Sequence, residues 1–127
     1  MTEIIDDTEA DSVAFAIILS ERQVTSVFQP LVDLATGEIV GYEALCRGPV
    51  GSRFASPAQL FHQAELDGLQ STLNWICLGS AFEAFFRAGA PRSASLFVNV
   101  SVGLRMDECP PDIHQVVARA VETEGVY

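Results

Sequence analysis

VFQPLVDLATGEIVGYEALCR, residues 27–47, decides how this chain begins to fold. VFQPLVD (27–33) and EIVGYEALCR (38–47) read as strands, and LATG between them reads as a turn. A connection this short cannot carry a crossover, so the two strands must form an antiparallel hairpin. The second strand also holds two charges in an otherwise apolar run, Glu43 and, four residues later, Arg47.

Outward from the hairpin, residues 11–22 (DSVAFAIILSER) predict a short helix capped by Asp11 or Ser12. GPVGSRFAS (48–56) is a loop, and its Gly48–Gly51 stretch lacks a phosphate-loop pattern. Ser56 followed by Pro57 signals a helix start, and that helix runs to about Asp67, before Gly68. A longer helix over about 70–88 places Leu73, Ile76, Cys77, Ser80 and Phe85 near helical spacing and stops at Gly89-Ala90-Pro91. SLFVNVS (95–101) is a third strand, VGLRMDECPP a loop, and residues 111–123 a last helix before GVY. The order β-β-α-α-β-α predicts an α/β fold in which helices cover strands that turn parallel after the hairpin. Three strands leave an open sheet edge, as in the first part of a larger α/β structure.

Composition narrows the function. The chain has 127 residues, enough for one small domain, and 49% of them are hydrophobic. Seven arginines and no lysine stand against 17 acids, for a net charge of −10. Such a surface excludes general nucleic-acid binding, and no DNA partner is expected. It still permits a small anionic ligand held by local arginines or metal ions. Glu3, Asp6, Asp7, Glu9 and Asp11 make the first twelve residues an acidic, solvated leader, unlike a signal peptide. No run is long enough to span a bilayer, so a cytoplasmic location is expected. Cys46, Cys77 and Cys109 are widely spaced, which points to core thiols rather than a disulfide framework or zinc site. His62 and His114 are isolated and offer little for a metal.

Strand alternation places Ile39, Gly41, Glu43, Leu45 and Arg47 on one face of 38–47, and Val40, Tyr42, Ala44 and Cys46 on the other. In 95–101, Leu96, Val98 and Val100 form an apolar face, opposite Ser95, Phe97, Asn99 and Ser101. In a parallel barrel the inward residues at strand C-termini build the site, and Glu43 and Asn99 would both point there. A carboxylate and an amide carbonyl are hard oxygen ligands suited to Mg²⁺ or Mn²⁺, and Arg47 offers a planar fork for phosphate. The plainer alternatives are a structural Glu43–Arg47 ion pair, an Asn99 that caps a turn, and a Gln29 that is only an edge residue beside Pro30.

With these residues in hand, the chain resembles the EAL domain family, bacterial enzymes that hydrolyse cyclic di-GMP. The resemblance rests on Phe28-Gln29-Pro30, the turn Thr36-Gly37, the triplet Glu43-Ala44-Leu45 with Arg47 just after it, the SPAQLFHQAELDGLQ region and FVNVS (97–101). It covers about residues 24–127, and the order and spacing of these motifs make it strong. It implies a TIM-like (β/α) barrel whose first strand runs antiparallel, of which this chain carries the N-terminal half at 24–127, behind an acidic leader and short helix at 1–23. It further implies that Glu43 and Asn99 bind Mg²⁺ or Mn²⁺, that Glu43 is catalytic, and that Gln29, Leu45 and Arg47 line the dinucleotide site. The implied reaction is metal-dependent hydrolysis of cyclic di-GMP to pGpG.

A complete barrel of this kind needs roughly 250 residues. The family's later metal ligands, two further glutamates, a paired-aspartate motif and a lysine, have no counterpart in these 127 residues. The chain is therefore expected to be incomplete for catalysis, as a fragment of an enzyme or as a non-catalytic cyclic di-GMP-binding or protein-interaction module. A homodimer or a partner protein over the open sheet edge is the third expectation.

Overall fold

The computed structural model describes residues 7–90 and 93–124. The first six residues of the acidic leader, Pro91 at the expected helix stop and the terminal GVY lie outside that range. The elements are α1 (Asp7–Ser20), β1 (Thr25–Val32), β2 (Ile39–Arg47), α2 (Pro57–Asp67), α3 (Gln70–Arg87), β3 (Ser95–Val98), a single 3₁₀ turn (Met106–Glu108) and α4 (Pro111–Glu124).

The hairpin forms as its turn length requires. Asp33 builds the turn twice: its carboxylate accepts from the Ala35 N–H at 2.8 Å and its carbonyl from the Gly37 N–H at 2.8 Å. Gly37 closes it at φ 73°, where a side chain would be strained. β1 and β2 pair antiparallel, with Gln29 opposite Glu43 and Val27 opposite Leu45. β3 then joins the other side of β2 in parallel, with Glu43 beside Phe97. The sheet order is β1-β2-β3, and α2 and α3 make the crossover that a parallel pair demands.

The helix ends follow local chemistry. Ser56 Oγ accepts from the Gln59 N–H, and Pro57 takes the first helical position of α2. Gly68, at φ 68°, ends that helix, and the Leu69 N–H returns to the Ala64 carbonyl at 2.8 Å.

Two elements depart from expectation. α1 starts at Asp7, not at Asp11 or Ser12. Those two residues do not cap the helix: Asp11 pairs with Arg53, and Ser12 Oγ donates to Asp67 at 2.9 Å. Asp7 and Glu9 in the first turn suit the positive end of the helix dipole. β3 stops at Val98 rather than running to Ser101: only Ser95–Val98 pair with β2, although β2 continues to Arg47, and the Ser101 N–H bonds to Asn74 Oδ1 instead. Asn99 therefore sits just past the strand end.

The main core lies among the helices. Phe15 of α1, Leu60 of α2 and Leu73 of α3 are wholly buried, together with Phe54 from the 48–56 loop and Ile113 of α4. The Phe15 and Phe54 rings sit 5.8 Å apart. α3 is the central helix and is buried on several sides, so its apolar stripe does not predict its environment. It covers one face of the sheet through Phe85, whose ring lies 6.0 Å from Phe28 and 6.4 Å from Tyr42. The opposite sheet face is uncovered: Val27 is 45% and Phe97 49% exposed. The mixed sheet, with an antiparallel first strand and helices on one face, is the start of an α/β fold of the kind expected from the sequence.

Candidate functional site

The uncovered sheet face carries each site residue expected from β1 and β2. Gln29, Glu43 and Phe97 form one row across the three strands, because they are direct register partners. Val27 and Leu45 form the next row, and Thr25 and Arg47 the one after that. Asn99, two residues beyond Phe97, joins the first row from above: its Nδ2 donates to Glu43 Oε1 at 3.1 Å. The structure thus brings Gln29, Glu43, Leu45 and Asn99 together.

Arg47 lies apart from Glu43. Four residues along a strand separate their backbones by about 13 Å, and in the structure each finds another partner: Glu43 bonds to Asn99 and Arg47 to a backbone carbonyl. The structural ion pair considered for them does not form. Arg47 Nη1 instead donates to its neighbour's carbonyl, Cys46 O, at 2.9 Å. That bond uses one of five guanidinium donors and seats the fork at the end of β2.

Asn99 owes its position to residues that carried no functional signal in the sequence. Asn74, in the middle of α3, is 2% exposed. Its Oδ1 accepts from the Ser101 backbone N–H at 2.9 Å, and its Nδ2 donates to Ser101 Oγ and to the Gln70 carbonyl. Ser71 Oγ accepts from the Arg105 N–H at 2.8 Å, and Trp75 Nε1 donates to the Arg105 carbonyl at 2.8 Å. One turn and a half of α3 therefore stitches down the whole segment that follows β3. A mid-helix Asn is a poor helix former and a strong local hydrogen bonder, and that was the available clue.

Phe97 is the other unrecognised member. Its ring lies over Gly41, where a Cβ would come within 2.7 Å of both the ring and the Ser95 carbonyl. Gly41 thus leaves the room that the Phe97 ring occupies next to Glu43.

The donor set bears on metal binding. With Asn99 Nδ2 bonded to Glu43 Oε1, Asn99 Oδ1 and Glu43 Oε2 are two hard oxygens, offered from just past the end of β3 and from β2. They fit part of a Mg²⁺ or Mn²⁺ shell, which takes about six oxygens, several of them waters. Among the described residues no group of three or more His, Cys, Asp or Glu side chains gathers to complete it. No helix among them is long and apolar enough to cross a membrane.

Comparison with known proteins identifies the family and the fold. The EAL domain family matches residues 11–126. Over 66 residues the chain is 36% identical to the probable cyclic di-GMP phosphodiesterase PdeB of Escherichia coli K12; that stretch is 51% of this chain and 13% of PdeB. Among solved structures, the FimX EAL domain from Pseudomonas aeruginosa bound to c-di-GMP superposes with a TM-score of 0.61 at 22% identity, over 92% of this chain and 46% of that one. The Xanthomonas citri FimX EAL domain in complex with c-di-GMP gives 0.64 at 18% identity, over 92% and 45%. The chain spans less than half the length of these solved domains, and at such identities the likeness is one of fold.

Proposed function

The chain belongs to the EAL domain family, and from that premise we propose that its open sheet face is part of a cyclic di-GMP site. The observation that carries this is the Glu43–Asn99 pair, two metal-suited oxygens held side by side, one on β2 and one just past the end of β3, with Gln29 and Leu45 next to Glu43. In this reading Glu43 and Asn99 hold Mg²⁺ or Mn²⁺, with the remaining ligands supplied from outside these 127 residues. The metal, when bound, lowers the pKa of its water and neutralises charge on the phosphate. Arg47 grips a phosphate through its planar fork, and Gln29 and Leu45 line the nucleotide. A net charge of −10 repels a dianionic dinucleotide, so such local cations are needed for it to approach.

The activity of the whole protein in this reading is hydrolysis of cyclic di-GMP to pGpG. For the chain alone, the two-oxygen donor set favours binding without turnover. On the same reading the domain takes in α1 together with residues 24–127, since Phe15 of α1 is wholly buried in its core. The test is a cyclic di-GMP binding and turnover assay with Mg²⁺ or Mn²⁺ on the chain and on Glu43→Ala and Arg47→Ala. Binding that weakens at least tenfold in Arg47→Ala supports the reading. Glu43-dependent turnover would show that the chain completes its own metal site, by self-association. Failure of either variant to change binding would remove the site from this face.

A further inference from the structure

Behind the strand that carries Glu43, a pair of thiols has no part in the reading above. β2 alternates, so Cys46 points away from Leu45 and Arg47, toward the helices. Cys77 comes up to meet it from α3, 31 positions later in the chain. Small side chains let the helix approach the sheet here. Ser26, the register partner of Cys46, lies with its Oγ 3.0 Å from the Oγ of Ser80, which is three residues past Cys77 on α3. Ala44 and Ala81 fill the adjoining positions. Both cysteines line a cavity of about 380 Å³ whose other walls include Pro57, Phe61 and Val98 and which reaches Leu45 and Asn99 at the edge of the candidate site. Cys46 is half-buried and Cys77 buried, and none of the three cysteines is in a disulfide.

We propose that Cys46 and Cys77 form a redox-active dithiol that closes to an intramolecular disulfide when a peroxide enters this cavity. Both thiols open on the same cavity, Cys46 packs against the core cluster that holds Cys77, and each alters the other's acidity. The Cys77 thiol, donating to Cys46, holds Cys46 below the ordinary thiol range despite partial burial, and the Arg47 charge adds to this. The same contact, with burial, pushes Cys77 up. Cys46, the more exposed of the two and the neighbour of Arg47, is the nucleophile, and the buried Cys77 is the resolving thiol. The Cys46 thiolate attacks one peroxide oxygen, the O–O bond breaks, and hydroxide leaves, giving a sulfenic acid. Cys77 sulfur then displaces the sulfenic oxygen, which departs as water with the Cys77 proton. Sulfur is oxidised, peroxide is reduced, and the S–S bond joins β2 to α3.

Closure acts on the seat of Arg47, because the carbonyl that holds its guanidinium belongs to Cys46. That consequence rests on the proposed function; the disulfide does not.

The experiment treats the reduced chain, dilute, with hydrogen peroxide, and follows titratable thiols, intact mass and peptide mapping. Thiols are expected to fall from the three present to one, with the loss of two hydrogens, a peptide cross-link between Cys46 and Cys77, and reversal by dithiothreitol. Cys109→Ser should leave the cross-link intact, and Cys46→Ser or Cys77→Ser should abolish it. Peroxide-treated protein that keeps its far-UV spectrum but forms no cross-link, stops at an oxidised Cys46, or pairs Cys109 instead would overturn the proposal. A cross-link that forms while cyclic di-GMP binding is unaffected, or absent altogether, would leave the dithiol standing and count only against the effect on Arg47.

Discussion

Replacing Asn74 by Ala tests how the Asn99 end of the site is held. Three hydrogen bonds disappear: two to Ser101, through its N–H and its hydroxyl, and one to the Gln70 carbonyl. Each neutral bond contributes about 1 kcal/mol net, and the Ser101 N–H left without a partner adds about 1 kcal/mol or more. Ala is a better helix former than Asn by about 0.6 kcal/mol, which offsets part of the loss. The expected cost is about 2–4 kcal/mol. For a chain of this length, unfolding entropy near 2.1 cal/mol/K per residue converts that to a melting-temperature drop of about 8–15 °C. The assay is urea and thermal unfolding by far-UV circular dichroism, with the urea m-value checked for constancy. Ser101→Ala serves as the comparison. It removes only the hydroxyl and keeps the backbone bond to Asn74, so it should cost about 1 kcal/mol or less. If Asn74→Ala costs under about 0.5 kcal/mol at constant m, or no more than Ser101→Ala, the stitching of the 99–105 segment to α3 is refuted.

Further outcomes follow from other contacts. Phe15→Ala should destabilise by about 3–5 kcal/mol, because the ring is fully buried against Phe54; a change below about 1 kcal/mol would make α1 an appendage rather than part of the core. Gly41→Ala should splay β3 from β2, since the new methyl meets the Ser95 carbonyl at 2.7 Å, and should weaken cyclic di-GMP binding along with stability; an unchanged melting temperature would contradict it. Gly48→Ala places a methyl 2.0 Å from the Phe54 carbonyl and should expel Phe54 from the core, read as a loss of about 2 kcal/mol or more in urea unfolding. The Arg22 guanidinium holds the Asp112 carboxyl below its ordinary value, so this pair stabilises the fold above the normal carboxylate range and stops doing so as pH falls through and below about 4. Both partners are substantially exposed, so Arg22→Ala should cost under about 1 kcal/mol at pH 7 and less at pH 2, where only its bond to the Leu19 carbonyl is lost; an equal cost at both would assign the effect to that bond and to packing.

Much of the fold was legible because it depended on local chemistry. The turn at Asp33–Gly37 is too short for anything but a hairpin, and Ser56-Pro57 and Gly68 bracket α2 as written. The same alternation that put Glu43 and Arg47 on one face separated them from the helix-facing Tyr42, Ala44 and Cys46. What misled was length. The apolar run to Ser101 reads as strand throughout, yet β3 leaves β2 after Val98 while β2 continues to Arg47, and the Ser101 N–H is taken by Asn74 of α3 instead; α1 includes Asp7, four residues before the expected cap.

The sequence by itself determined the hairpin, the crossover helices and the set of side chains facing one side of the sheet, because turn length and a period of two are properties of neighbouring residues. It also carried the EAL motifs that identify the family. Only the tertiary structure decided that Glu43 bonds to Asn99 rather than to Arg47, that Asn74 holds the segment beyond β3, and that Cys46 and Cys77, far apart in the chain, meet behind the site. Each of these depends on which residues of distant segments are brought within a few ångströms, and packing of α3 against the sheet sets that distance.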